Sequence, residues 1–368
     1  MAADFPPPPA PPPVPSRSNP WRVIVVVLLA FVLILAALTA FWYITKTGPF
    51  SPIEPSTWAL EATQVTDLQA RNLDGSGVRV CVVDTGVDLT HPELQGVNLV
   101  AWKDFTSSRV DPYDDEGHGT AMTGIIFARG VLHGVAPKAE LIAAKAITAK
   151  GSGTDAAIAS AIRFCRDPNG NGNVMDDGAN VISLSLGGSN HPFLGTATTN
   201  AVNNATQSGI YVVAAAGNDG QADDGDVESP ASEASVIAVG AVDRQGVIAP
   251  FSSIGSVYGP GFPQTLRTDP DKKPEVVAPG IEIATPLNQG RYAYVSGTSP
   301  AAAFVSGIVA LLLQDHPAYE WNAAKLGAFK TALLQGARRE PGQQPGPHDP
   351  HYGYGLVQAA ASDAAIPP

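Results

Sequence analysis

The chain has 368 residues, of which 34 are acidic and 22 are basic, so its formal net charge at pH 7 is −12. A balance this acidic argues against nucleic acid as a partner, since phosphate backbones are bound by clustered Lys and Arg. The length allows one large domain or two small ones. A charged fraction of 15%, with 37 glycines and 33 prolines, is typical of a loop-rich α/β protein.

The N-terminal part of the chain does not have the composition of a folded domain. Residues 1–20 are rich in proline, and we predict that they form an extended cytoplasmic tail. Val23–Ile44 is a run of 22 residues without a charge, which is long enough to cross a hydrocarbon layer of about 30 Å. We therefore predict one transmembrane helix over residues 21–44, followed by a linker over residues 45–57.

The side chains around the apolar run predict its orientation. Arg17 and Arg22 precede it, and basic residues mark the cytoplasmic side of a membrane span. We therefore expect the N-terminus in the cytoplasm and the rest of the chain outside the cell membrane. A cleaved signal peptide and a buried core helix are the alternatives. The length of the run and its aromatic end, Phe41-Trp42-Tyr43, favour a single-pass anchor.

From residue 58 to residue 368, short apolar runs alternate with Ala-rich helical patterns. The strands are predicted over Val78–Val83, Leu141–Ile147, Val181–Leu186, Ile210–Ala215 and Val236–Val242, and the helices over Ala156–Cys165, Gly195–Ser208 and Thr298–His316. This alternation predicts an α/β domain with a mostly parallel central sheet and helices on both faces. Functional side chains of such sheets gather beyond the carboxyl ends of the strands.

The chain has two cysteines. Cys81 lies in a predicted buried strand, and Cys165 lies at the end of a predicted helix. We interpret them as two buried thiols, because free cysteine is among the most buried residue types. A disulfide between them is the alternative.

Three short segments carry an acid, a base and a nucleophile in chain order. Asp84 ends the first apolar run, His118 lies between two glycines, and Ser299 begins the last helix. A serine hydroxyl is a weak nucleophile at neutral pH, and it needs a nearby base that a third group orients. Taken singly, each residue also has a structural interpretation, such as a turn or a helix cap. Asp88 is a competing carboxylate that we interpret as structural.

These segments and several others resemble the subtilisin-like serine peptidases, the subtilases, over residues 58–361. The matching segments are Val80–Gly86, Gly117–Thr120, Val135–Pro137, Ser185–Gly188, Ala215–Asn218, Val277–Gly280 and Ser296–Ala301. The resemblance implies a serine endopeptidase that acts on polypeptides through an acyl-enzyme and needs no cofactor for the chemistry. It makes Asp84, His118 and Ser299 the acid, base and nucleophile. It makes Asn218 the side-chain donor of the oxyanion hole.

Two positions depart from the family pattern. Ala121 stands where many members have a second histidine, and Pro300 follows the nucleophile where Met is usual. The stretch between the predicted anchor and residue 58 is also too short for a pro-domain. The departures leave open a catalytically silent subtilase fold that serves as a membrane binding or scaffold protein. An esterase or ligase with the same nucleophile is a further alternative.

The resemblance also implies where a substrate binds. Subtilases bind an extended peptide as an added strand, and the matching edges here are Gly151-Ser152-Gly153 and Ser185-Leu186-Gly187. Asp155 and Ile158 would lie beside the S4 pocket. Glu228 aligns near the floor of the S1 pocket, where a carboxylate would pair with Lys or Arg at P1. The alternative is that the acidic stretch around Glu228 is solvated or binds calcium.

A second acidic stretch predicts a structural calcium site. Asp, Asn and Gly alternate in it as they do at the start of an EF-hand loop. The candidate ligands are Asp167, Asn169, Asn171, Asn173 and Asp176. The loop lacks the bidentate Glu of the twelfth position, because Gly178 stands there. The alternative is a simple Asn-Gly turn.

Overall fold

The structure is a computed structural model that describes residues 34–35, 53–107, 109–188, 197–220, 225–260 and 263–368. The predicted tail, nearly all of the predicted anchor, and the linker up to residue 52 therefore lie outside the described residues. Residues 53–368 form one compact unit, distinct from residues 1–52. The predicted linker ends at residue 57, but residues 53–57 already belong to the compact unit. Ile53 packs against an apolar cluster of this unit, and Ser56 Oγ accepts the N–H of Ala284 at 2.9 Å.

Seven parallel strands form the central sheet. They are β1 Arg79–Asp84, β2 Asn98–Asp104, β3 Glu140–Lys145, β4 Val181–Leu184, β5 Tyr211–Ala215, β6 Ile237–Val242 and β7 Val276–Pro279. Their spatial order is β2-β3-β1-β4-β5-β6-β7. A separate antiparallel pair consists of β8 Ile283–Pro286 and β9 Tyr292–Val295. The predicted class, α/β with a mostly parallel sheet, is confirmed.

Helices cover both faces of this sheet. They are α1 Thr57–Ala62, α2 Val65–Ala70, α3 His118–Phe127, α4 Asp155–Arg166, α5 Val174–Asp177, α6 Ala197–Gln207, α7 Thr298–Asp315, α8 Leu326–Gly336 and α9 Ala359–Ala365. Short 3₁₀ turns lie at Pro92–Leu94, Pro317–Tyr319 and Ala323–Lys325. The predictions for α4 and α7 are correct to within one residue at each end. The prediction for α6 agrees over its described part.

Strand β1 shows why the sheet needs cover on both sides. Val80 and Val82 face one apolar cluster, with α3 and α7, whereas Cys81 and Val83 face the other, with α4 and α6. All four side chains are buried, as expected of a parallel strand between two helical layers. Asp84 follows as the last residue of β1, so a carboxylate lies at the carboxyl end of a central strand.

Helix α7 is apolar on almost every side because it runs through the core. Among the described residues it is the one helix long and apolar enough to cross a membrane, and 83% of that stretch is buried inside the domain. It contacts β4, β5, β6 and β7. Packing of the core therefore accounts for its composition, and Ser299 at its start is held by a rigid element.

Ten of the described helices and strands were not predicted from the sequence, and β2, β7 and α3 show why. Strand β2 lies at the edge of the sheet, and its side chains alternate between exposed and half-buried positions, so no continuous apolar run marks it. Strand β7 has four residues and ends at Pro279. Helix α3 begins in a Gly-rich stretch, and nine of its ten residues are buried, so it has no amphipathic pattern to recognise.

The interpretation of two buried thiols is wrong, because Cys81 and Cys165 form a disulfide across 84 residues. Cys81 points from β1 to the face that α4 covers, and Cys165 lies on the buried side of α4. Their Cα atoms are 5.7 Å apart, within the usual range for a disulfide. Sequence separation does not reveal this proximity, which depends on how α4 docks on the sheet.

Replacing both cysteines, as Cys81→Ala/Cys165→Ala, should lower the free energy of unfolding by about 2–5 kcal/mol. The cross-link limits the unfolded chain over a long loop, and the variant removes that limit without leaving a lone thiol. Denaturant unfolding of parent and variant measures the difference. Iodoacetamide should label neither cysteine of the denatured parent before reduction, and labelling of both without reduction would restore the two-thiol interpretation.

Candidate active site

A cleft of about 690 Å³ lies at the carboxyl ends of β1, β4 and β5, beside the starts of α3 and α7. The structure brings together in it all the predicted catalytic and substrate-binding residues. They are Asp84, His118, Asn218, Ser299, Gly151, Ser152, Gly153, Asp155, Ile158, Ser185, Leu186, Gly187 and Glu228. These residues come from seven separate parts of the chain, and the parallel sheet assembles them at one edge.

Asp84 and His118 form a hydrogen-bonded pair in this cleft. His118 Nδ1 lies 2.8 Å and 3.0 Å from the two carboxylate oxygens of Asp84. Asp84 is 2% exposed, and its Oδ1 also accepts the N–H of Thr85 at 2.7 Å. A buried carboxylate of this kind holds the imidazole proton on Nδ1, which leaves Nε2 as the proton acceptor.

Asp114, which was not singled out from the sequence, fixes the start of α3. Its carboxylate accepts the N–H groups of Gly117 at 2.8 Å and Thr120 at 2.9 Å. It also accepts the hydroxyl of Thr85 at 2.9 Å, and Thr85 Oγ1 in turn accepts the N–H of Gly119 at 2.8 Å. Strand β1, which ends at Asp84, and helix α3, which begins at His118, are thus joined. The available signal was the position of Asp114, three residues before Gly117 at the start of α3, since Asp near a helix start accepts its free N–H groups.

Lys145 is a second residue that the sequence did not reveal. It is fully buried at the end of β3, beside Asp84 in the register of the sheet. Its ammonium group donates to the carbonyl of Thr85, to Asp115 at 2.7 Å and to the carbonyl of Ile147 at 2.9 Å. One buried cation therefore connects the residue after Asp84, the loop before His118 and the segment that follows β3.

Ser299 is the second residue of α7 and exchanges hydrogen bonds with Ser185. Ser299 Oγ donates to the carbonyl of Ser185 at 3.2 Å, and Ser185 Oγ donates to the carbonyl of Ser299 at 3.1 Å. The hydroxyl is thus turned towards the end of β4 and not towards His118. Catalytic hydrogen bonds are often unformed before substrate binds, and a rotation about one side-chain bond redirects the hydroxyl.

Asn218 is oriented by Thr298. Its Oδ1 accepts the N–H of Thr298 at 2.9 Å and the hydroxyl of Thr298 at 3.2 Å. These contacts identify the oxygen end of the amide and leave the NH₂ group for the cleft. The N–H of Ser299, in the first turn of α7, has no partner within the helix. Two N–H donors therefore border the cleft beside the hydroxyl of Ser299.

The environment of His118 raises its pKa to about 9. Burial of the ring acts in the opposite direction and lowers the pKa, but the charge and hydrogen bond of Asp84 outweigh it, with further help from the charges of Glu116 and Asp114. The protonated form of the ring is thus stabilised by surrounding carboxylates.

The described lining of the cleft is acidic. It includes no lysine or arginine, and its four carboxylates are Asp84, Glu116, Asp155 and Glu228. Asp155 accepts the N–H groups of Ala197 and Thr198 at 2.8 Å and 2.9 Å, so it also caps the start of α6. Glu116 accepts the N–H of His118 at 2.7 Å. A cleft with this charge favours positively charged ligands.

The side chain of Glu228 lies between two glycines. A Cβ atom on Gly187 would overlap with Glu228 Oε2, and one on Gly217 would lie 2.9 Å from Glu228 Cδ. Gly217 also has a φ of +113°, which residues with a side chain rarely adopt. The two glycines therefore make the space that the Glu228 carboxylate occupies. Two of the acidic residues before it, Asp223 and Asp224, lie outside the described residues.

The predicted calcium loop lies outside this cleft and is closed by its own hydrogen bonds. The Asp167 carboxylate accepts the N–H groups of residues 170–172 at 2.9–3.2 Å. Asn171 Nδ2 donates to Asp176 at 2.7 Å. Asp177 Oδ1 is buried and has no hydrogen-bond partner among the described residues. The loop thus gathers oxygen atoms, one of them unpaired.

The other two candidate ligands use their side chains locally. Asn169 Oδ1 accepts the N–H of Asn171 at 2.8 Å, and Asn173 Oδ1 accepts that of Met175 at 3.3 Å, at the start of α5. Within the described ranges, a metal-sized convergence of His, Cys, Asp and Glu atoms occurs instead at Asp315, His316 and Asp363. Arg71 pairs with both carboxylates there, so their charge is already balanced.

Comparison with known proteins matches the whole region around the cleft. The model of the Subtilase family covers residues 75–355. The thermophilic serine proteinase of Bacillus sp. strain AK1 is 40% identical over 273 residues, which are 71% of this chain and 60% of that protein. Subtilisin Savinase of Lederbergia lenta is 35% identical over 309 residues, 83% of this chain and 97% of its own length.

Subtilisin E of Bacillus subtilis strain 168 is similar to the same extent, with 37% identity over 302 residues, 80% of this chain and 68% of that protein. The match to the family model spans β1 to β9 and α7, and hence every predicted catalytic residue of the cleft. The parallel sheet, the matched region and the level of identity agree: the chain belongs to the subtilase family of serine endopeptidases.

Proposed function

We propose that this subtilase hydrolyses peptide bonds with Asp84, His118 and Ser299 as acid, base and nucleophile. The observation that carries the proposal is the hydrogen bond of 2.8 Å between His118 Nδ1 and the buried Asp84 carboxylate, in the cleft that Ser299 also lines. A base oriented in this way accepts a proton at Nε2, and a serine hydroxyl needs such a base to become nucleophilic.

In the proposed reaction, the Ser299 hydroxyl leaves the carbonyl of Ser185 and turns to His118 Nε2. Oγ attacks the carbonyl carbon of the scissile bond while His118 takes the proton. His118 then gives this proton to the leaving amine, the C–N bond breaks, and water hydrolyses the acyl-enzyme. The amide of Asn218 and the N–H of Ser299 stabilise the oxyanion. One such side-chain donor is worth about 10²–10³ in kcat, a magnitude measured in a subtilisin.

We propose that the substrate is an extended polypeptide with Lys or Arg at P1. The edges at Gly151–Gly153 and Ser185–Gly187 both line the cleft, which supports pairing with a peptide backbone. The Glu228 carboxylate occupies the space between Gly187 and Gly217. Because the described lining carries four carboxylates and no lysine or arginine, a cationic P1 side chain gains more there than an apolar one.

We propose that the enzyme is a single-pass membrane protein with its catalytic domain outside the cytoplasm. The support is the uncharged run of Val23–Ile44 with Arg17 and Arg22 before it. The disulfide between Cys81 and Cys165 agrees with this location, since disulfides persist in oxidising compartments and are rare in the cytosol.

We also propose that the loop over residues 167–177 binds a structural Ca²⁺ ion. The loop offers carboxylate and amide oxygens, the ligands that Ca²⁺ prefers. Burial, together with the carboxylates of Asp176 and Asp167, raises the pKa of Asp177, and a bound cation would relieve this repulsion. The ion would hold the loop together and take no part in the chemical step.

A fluorophosphonate probe applied to membranes of cells that express the chain tests the nucleophile and the anchor together. We expect labelling of the parent and none of Ser299→Ala, because the probe reacts with an activated serine. The labelled band should stay with the membranes in high salt and be released by detergent. No labelling of a folded parent would favour the silent scaffold, whereas release by salt alone would contradict the anchor.

The pH dependence of kcat/KM tests His118 as the base. Only the neutral ring accepts a proton, so with a pKa near 9 the rate should rise through the alkaline range. Glu116→Gln removes one charge that raises this pKa, and its amide oxygen can still accept the N–H of His118. The rise should therefore move to lower pH. Glu61→Gln, on the exposed side of α1, is the matched control.

A rise centred at the ordinary histidine pKa of about 6.5 would contradict the assignment of these charges to His118. The same conclusion would follow if Glu116→Gln and Glu61→Gln gave identical pH profiles.

Glu228→Gln tests the P1 preference. The variant keeps the size of the side chain and removes its charge, so kcat/KM for a Lys-P1 peptide should fall about 10- to 100-fold. The value for a matched Phe-P1 peptide should change little. Faster cleavage of the Phe-P1 peptide than of the Lys-P1 peptide by the parent enzyme would refute a basic preference.

Removal of calcium by a chelator should lower the midpoint of thermal unfolding, because an ion that binds only the folded state stabilises it. Asp176→Asn/Asp177→Asn should show a lower midpoint in calcium and a smaller response to the chelator. An unchanged melting curve of the parent with chelator would count against the site and favour the Asn-Gly turn.

A further inference from the structure

Arg267 contacts both ends of the segment that carries Glu228. Its guanidinium donates two hydrogen bonds to the carboxylate of Asp226, both of 2.7 Å, and another of 2.7 Å to the carbonyl of Ser232. The side chain of Arg267 is 4% exposed and that of Asp226 is 13% exposed. A bidentate pair shielded from water in this way restricts geometry as well as balancing charge.

The charge of Asp226 is paired inside the protein, two residues before Glu228. Besides Arg267, its Oδ1 accepts the N–H groups of Val227 at 2.9 Å and Ser256 at 2.8 Å. Glu228 is then the carboxylate of this segment that lines the cleft. Without Arg267, Asp226 would be a nearly buried charge without a countercharge, and the segment would have to move to hydrate it.

Arg267 reaches this place because the residues just before it pair with the residues that follow Ser256. Tyr258 and Leu266 form an antiparallel bridge, and the guanidinium of Arg267 also donates to the carbonyl of Ser256 at 2.9 Å. These two contacts join Arg267 to the backbone around Ser256 and fix where its side chain lies.

The residues just before Ser256 contact the segment that carries Asn218. Ser253 N donates to the carbonyl of Gly217 at 3.0 Å, and Ser253 Oγ accepts the N–H of Asp219 at 3.3 Å. Asn218 lies between these two contacts. Ser253 and Arg267 therefore hold the segment with Asn218 and the segment with Glu228, respectively.

We infer that Arg267 is a positioning residue for substrate specificity: by pairing Asp226 and holding Asp226–Ser232, it directs the Glu228 carboxylate at a Lys or Arg side chain in the P1 position. The inference rests on the proposed role of Glu228. Arg267 contacts neither the substrate nor the reacting atoms. Its loss should therefore change the discrimination between substrates and leave the chemical step intact.

The test compares kcat/KM for two peptides that differ only in Lys or Phe at P1. In the full-length, detergent-solubilised enzyme, Arg267→Met should lower the Lys:Phe ratio about tenfold, mainly through KM of the Lys peptide. The rate on the Phe peptide, per enzyme labelled by the fluorophosphonate probe, should stay within about twofold. Arg267→Lys keeps the positive charge but cannot form the bidentate pair with Asp226. The Lys:Phe ratio of this variant should therefore lie between those of the parent and Arg267→Met.

Two further variants separate specificity from stability. Asp226→Asn/Arg267→Met removes the orphaned carboxylate and should unfold at a higher temperature than Arg267→Met while keeping the lowered ratio. Arg71→Met removes an arginine that pairs with two carboxylates, Asp315 and Asp363, outside the cleft. It should leave the Lys:Phe ratio of the parent unchanged.

Glu228→Gln distinguishes a failure of the inference from a failure of the proposed preference. If Glu228→Gln lowers the ratio while Arg267→Met and the double variant leave it unchanged, the role of Arg267 is refuted and that of Glu228 stands. An equal fall in both peptides with Arg267→Met would make Arg267 merely structural. If Glu228→Gln leaves the ratio unchanged, the basic P1 preference and the inference built on it both fall.

Discussion

The site depends on a hydrogen bond between His118 and a carboxylate that is almost completely buried. An ionised Asp84 at 2% exposure is stable only with partners, and it has them in the N–H of Thr85 and the ring of His118. These partners are in place because Asp114 joins the start of α3 to the end of β1. The end of β1 thus supplies the Asp84 carboxylate, and the fixed start of α3 supplies His118, which stabilises that carboxylate in its buried position.

The carboxylates around His118 favour its protonated form, which stabilises the fold, whereas accepting a proton requires the neutral form. Its pKa is raised to about 9 from an unperturbed 6.5, so the protonated ring stabilises the folded state. That contribution is fully present below about pH 6.5 and is lost as the pH rises towards 9. The neutral ring, which is the form proposed to act as the base, becomes abundant over the same interval. This site is thus best held together where it is least able to accept a proton.

The residues proposed to carry the chemistry could be brought to one site from the sequence, because short motifs mark them at the ends of apolar runs. Asp84, His118, Asn218 and Ser299 all line one cleft, and the parallel sheet follows from the alternation of strands and helices. Residues that act by joining distant segments could not. Lys145 sits in an apolar run like any strand residue, and its three partners come from elsewhere in the fold. The disulfide was misjudged for the same reason.

The disulfide also affects the resistance of such an enzyme to autolysis. A peptidase that binds extended chain will cut any loop that opens far enough to enter a neighbouring molecule's cleft, its own sequence included. The bond between Cys81 and Cys165 closes a loop that contains His118 and ties α4 to β1. Helix α4 therefore cannot peel away from the sheet by itself. A first autolytic cut between these cysteines would leave the two pieces covalently joined, so a nicked molecule would keep Asp84, His118 and Ser299 in one particle.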